Sequence, residues 1–111
     1  MKIKSFYIPI LGFKVEIYDE SGSILPDKTV KAVTLVEPEK YLVQMGFNFS
    51  VPWGTPTVAH ECLHAVNAIF NARGVKPDFE NDELQCYFLE DLMERVVGVL
   101  VKHEQKLREA K

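Results

Sequence analysis

The hydrophobic rhythm of this chain changes once, near residue 52, and that change limits the folds open to it. Before it, apolar residues recur at every second position. In "YLVQMGFNFS" (41–50), Tyr41, Val43, Met45, Phe47 and Phe49 share one face, with Gln44, Gly46, Asn48 and Ser50 on the other. "GFKVEIYDE" (12–20) sets Phe13, Val15 and Ile17 against Lys14, Glu16 and Tyr18 in the same way. "KTVKAVTLVE" (28–37) is rich in β-branched residues, "KIKSFYI" (2–8) reads as a further strand, and "DESGS" (19–23) marks a turn. After the change the period is helical. In "TPTVAHECLHAVNAIFNARG" (55–74), Thr55 is suited to cap a helix, Pro56 to its first position and Gly74 to its C′ position. A second helix is expected from an Asn81 N-cap to about residue 108, with Asp82 and Glu83 in its first turn. Leu84, Phe88, Leu92, Val96, Val99 and Leu100 form its apolar face, and "KHEQKLREAK" (102–111) reads as a solvated tail. Strands followed by helices imply an α+β domain. Its small antiparallel or mixed sheet would carry two C-terminal helices on one face.

At 111 residues the chain is expected to form a single domain, 1–111, with its own core. Its 47% apolar and 26% charged residues are those of a globular protein. The net charge is −3 and no basic run accumulates, so nucleic acid is not the expected partner. The longest apolar runs, such as "VVGVLV" (96–101), are too short to span a bilayer, so no membrane partner is expected either. The N-terminal "MKIKSFYIPILG" lacks the apolar core and cleavage site of a signal peptide and reads as a strand. Cys62 and Cys86 make no disulfide framework and fall in helical segments, which points to a reducing, cytoplasmic setting.

The first helix carries two of the three histidines. At about 100° per residue, His60 and His64 lie about 40° apart, one turn above the other. Ala59, Cys62, Leu63, Val66, Ile69 and Phe70 form the opposite, core-facing arc. The histidines share their own stripe with Asn67, Ala68 and Asn71, free to line a cleft. Two imidazoles one turn apart can both reach a zinc ion at about 2.0–2.1 Å. Zinc lowers the pKa of a bound water toward about 7. Glu61, on the flank, is displaced for a ligand and well placed to take a proton from that water. A catalytic zinc commonly has three protein ligands. The remaining histidine, His103, lies in the tail and reads as a surface residue. Carboxylates near the start of the second helix, Asp78, Glu80, Asp82 and Glu83, are the alternatives, because the short linker "VKPDFE" (75–80) brings that helix back beside the first.

The pieces "HECLH" (60–64) and "NDELQC" (81–86) resemble the gluzincins, the glutamate-ligand branch of the zincin metallopeptidases. More narrowly, residues 55–92 look like small metallopeptidase-like proteins of tailed phages and prophages, which pair a "TxAHExxHA" helix with a "DExxAY" helix. The resemblance implies His60, His64 and Glu83 as zinc ligands and Glu61 as general base. The activity it implies is hydrolysis of peptide bonds in a peptide or protein substrate by zinc-activated water, in the host cytoplasm if phage-encoded. Two features depart from the family. Where many larger gluzincins have an aspartate orienting a ligand histidine, this chain has Tyr87, either facing the cleft or packed. Nor is there an obvious second domain to wall the cleft. Cys86 is a weaker substitute ligand; both cysteines read more simply as small buried hydrophobes. The strand 41–50 is either an edge strand that binds peptide or an ordinary sheet member. Two other functions fit the same residues: a non-catalytic zinc-binding interaction or regulatory domain of phage origin, and a metal-free interaction domain.

Overall fold

A computed structural model describes residues 1–51 and 53–110. Four strands, β1 (Lys2–Ile8), β2 (Phe13–Tyr18), β3 (Ala32–Glu37) and β4 (Leu42–Phe47), precede two helices, α1 (Thr55–Ala72) and α2 (Glu83–Glu109). The sheet order is β1-β2-β4-β3. β1–β2 and β3–β4 are antiparallel, whereas β2 and β4 run parallel, so the sheet is mixed. The α+β architecture expected from the sequence is the one observed.

Alternation places the core. Phe13, Val15 and Ile17 of β2 and Val43, Met45 and Phe47 of β4 are fully buried on one face of the sheet. Val58, Cys62, Val66, Ile69 and Phe70 of α1 and Leu92, Val96 and Leu100 of α2 cover them. The other face carries a polar network: Tyr18 and Gln44 both donate to Glu16 Oε1, at 3.0 and 3.1 Å. Burial raises the pKa of this carboxyl, but hydrogen bonds from Gln44, Tyr18 and Lys2 outweigh it and hold the group below the usual range. No helix among the described residues is long and apolar enough to cross a membrane.

Several boundaries differ from those the sequence suggested. The first helix is capped by Gly54, with Thr55 already helical, and the second by Asp82, with no side-chain cap bond at either. β3 begins at Ala32, not Lys28, because Lys28 and Val30 give their carbonyls to the Asn48 amide instead of to a ladder. Asn48 is 1% exposed and not on an open polar face. Gly46 admits Ile24 from the same covering loop: a Cβ there would lie 2.7 Å from Ile24 Cγ1. Leu63 and Leu84, both assigned to apolar faces, are 42% and 52% exposed. His103 is not a surface residue: its ring packs on Phe49 at 4.8 Å and its side chain is 10% exposed. β4 lies between β2 and β3, which removes the edge-strand reading of residues 41–50. The edges are β1 and β3.

Candidate metal centre

The first helix lies along β3, and α2 along α1 and the β1 side. Arg73, just past the end of α1, fixes that end to the β1–β2 turn. Its Nε donates to Leu11 O at 2.7 Å and its guanidinium stacks on the Tyr41 ring at 3.9 Å. Gly74, at φ +71°, then turns the chain out of the helix. With α1 held this way, its sheet-facing side is apolar except at Glu61. The stripe carrying His60, His64, Asn67 and Asn71 faces solvent.

The structure brings the two histidines together. Their Nε2 atoms are 3.2 Å apart and their rings meet edge-on, with centroids 4.7 Å apart. Glu61 takes a different direction. It is 7% exposed and leans toward the sheet, where Thr34 Oγ1 of β3 donates to its Oε1 at 2.7 Å. The same hydroxyl lies 3.2 Å from the Glu61 carbonyl oxygen. The other carboxylate oxygen, Oε2, is 4.0 Å from His60 Nε2. One oxygen of Glu61 is therefore anchored by the sheet and the other faces the histidine pair.

Thr34 was not among the residues singled out by sequence. The sequence offered only its position in a β-branched strand; the register that opposes it to Met45, a core-facing residue, comes with the fold. A threonine on that face needs a hydrogen-bond partner.

Glu83 stands exposed in the first turn of α2. Among the described residues, no group of three His, Cys, Asp or Glu side chains converges as a metal cage. What α2 does bring to the stripe is Gln85, whose Nε2 donates to Asn67 Oδ1 at 2.8 Å. Asn67 is three residues beyond His64, so the bond ties the start of α2 to the histidine stripe. The two cysteines part company. Cys62 is fully buried, and burial followed by the charge of Glu61 pushes its thiol up to about 12. Cys86 is exposed, against expectation, because it lies on the outer side of the first turns of α2. Desolvation and the Asp82 and Glu83 carboxylates raise its pKa too. Tyr87 is 64% exposed, so it is not a packing residue.

The donor set fits zinc at two positions. Two nitrogens bound at about 2.0–2.1 Å on a tetrahedral ion stand about 3.3 Å apart, and the His60–His64 separation is 3.2 Å. Comparison of the chain with protein-family models, with curated proteins and with solved structures finds no match.

Proposed function

We propose that this domain is a zinc-dependent peptidase. His60 and His64 would hold the metal, Glu83 would complete the ligand set, and Glu61 would act as general base. The observation that carries this reading is the 3.2 Å approach of two imidazole nitrogens beside a carboxylate anchored at one oxygen only. Bound zinc supplies Lewis acidity and lowers the pKa of water at the site. The remaining work falls to the chain. Thr34 holds Glu61 Oε1, which fixes the carboxylate plane and leaves Oε2 to accept a proton from the nucleophile and return it to the leaving amine. Glu83 enters this reading from the resemblance to the gluzincins: it is exposed and lies about 200° around α2 from Gln85, so holding the metal would require the first turn of α2 to shift toward the stripe. The free edge of β3, next to Glu61, offers backbone groups to an extended substrate. The proposed setting is the cytoplasm, where two unpaired thiols persist.

The test combines metal analysis of tag-free protein with cleavage of a broad peptide library. Wild type is expected to carry about one zinc per chain. His60→Ala and His64→Ala should lose it, and Glu83→Ala should hold it more weakly. Glu61→Gln should keep zinc and lose about 10²–10⁴-fold in turnover, because the amide accepts no proton. Metal content unaffected by the histidine changes rejects the site. Zinc binding without any cleavage favours a binding or regulatory domain instead.

A further inference from the structure

We propose that the groove between β1 and α2 binds an extended acidic peptide, which adds as a strand to the free edge of β1. This site lies at the opposite edge of the sheet from the histidines and does not depend on the peptidase reading.

The groove has a volume of about 480 Å³, and Ile3, Phe6 and Val99 are its apolar lining. Lys4, Arg95, Lys102 and Lys106 line it, against a single acid, Glu94. A chain of net charge −3 has gathered four cations here from segments some ninety residues apart, which is why no basic run shows in the sequence. Arg95 is committed: it pairs with Asp91 at 3.2 Å and donates to Tyr7 O. Lys4, Lys102 and Lys106 make no ion pair among the described residues. Their charge is available to an anionic partner.

Backbone geometry selects the form of that partner. Lys14 N donates to Tyr41 O, so Lys14 and Glu16 direct their backbone groups toward the β4 side of β2. Their β1 partners, Tyr7 and Ser5, therefore sit at non-hydrogen-bonded pairs and point their own groups away from the sheet. Arg95 takes the Tyr7 carbonyl. Among the described residues, the Ser5 N–H and C=O and the Tyr7 N–H remain as the rungs of an unfilled ladder. A strand laid on them turns alternate side chains toward α2, where Lys102 and Lys106 favour carboxylates. Gly98 of α2 keeps the space open: apart from its own stretch of helix, no described residue comes within 4 Å of a Cβ built there.

The probe is a fluorescein-labelled peptide alternating Glu and Thr, followed by anisotropy at low salt. Its Lys-for-Glu counterpart and two forms N-methylated at every second residue, one in each register, serve as comparisons. The acidic peptide should bind at least about tenfold tighter than the basic one. N-methylation in one register should abolish binding, and in the other leave it. Lys102→Glu with Lys106→Glu should weaken binding about tenfold or more. Gly98→Leu should block the groove while keeping the fold, because leucine is the better helix former. Binding indifferent to N-methylation in both registers would overturn the proposal, as would tighter binding of a single-stranded oligonucleotide or an anionic vesicle. Wild-type affinity in both groove variants, or no binding by wild type, would overturn it as well.

Discussion

Replacing Thr34 by valine isolates the bond that anchors Glu61. Valine keeps the shape and apolar surface of threonine and removes only the hydroxyl. Glu61 is 7% exposed, so water cannot freely take the place of the lost donor. His60 Nε2 is 4.0 Å from the opposite oxygen and out of hydrogen-bond range. A hydrogen bond to a charged group contributes about 1.5–3 kcal/mol, and leaving a buried acceptor unsatisfied costs a similar amount. Thr34→Val should therefore destabilise the fold by about 1.5–3 kcal/mol. In a chain of this length that corresponds to a drop in Tm of roughly 6–12 °C. Urea denaturation in the presence of chelator measures it without a metal contribution. The same change in a Glu61→Leu background should cost less than about 0.5 kcal/mol, because the acceptor is gone. Equal losses in the two backgrounds would refute the anchoring role. So would a loss below about 0.5 kcal/mol in the Glu61 background.

Chelation of zinc-loaded protein should lower the Tm without unfolding the domain at room temperature, since the core is built from β2, β4, α1 and α2 without the metal; loss of far-UV ellipticity on chelation would contradict this. A thiol reagent should modify Cys86 in the native state and Cys62 only on unfolding, read by mass spectrometry of peptides around each. Glu16→Gln should destabilise the protein at neutral pH. Because the Glu16 carboxyl titrates below its ordinary range in the fold, its contribution is present above the unfolded pKa and disappears as pH falls through the folded one. The gap from wild type should therefore close below about pH 4 in denaturation curves.

The elements with strict periods were legible in advance. β1 runs from Lys2 to Ile8 as its residues implied, and Val43, Met45 and Phe47 point inward as their alternation required. His60 and His64 meet because helical spacing alone puts them one turn apart. What escaped depends on segments distant in sequence. Asn48 looked polar and exposed, yet it is buried because a loop from residues 28–30 folds over it. Leu63 looked like core, yet α1 turns Glu61 inward in preference, since Thr34 waits on β3. The parallel pairing of β2 with β4, and so the identity of the edge strands, follows from how two hairpins associate, which no local pattern encodes.

That parallel seam also bears on how the domain assembles. β1–β2 and β3–β4 are each joined by a few residues and can zip locally. The seam between them sets Glu16 opposite Gln44, 28 residues away, and closes only after a long loop has been drawn in. Each hairpin alone is marginal, so the seam is expected to set the folding rate, closing only as apolar surface from both is buried together. A cut in the loop over residues 19–31, with the original ends joined, would make β3–β4, α1 and α2 continuous ahead of β1–β2. It would lengthen the path across the seam and slow folding, while the histidine pair and Thr34, all within β3 to α1, would keep their local order.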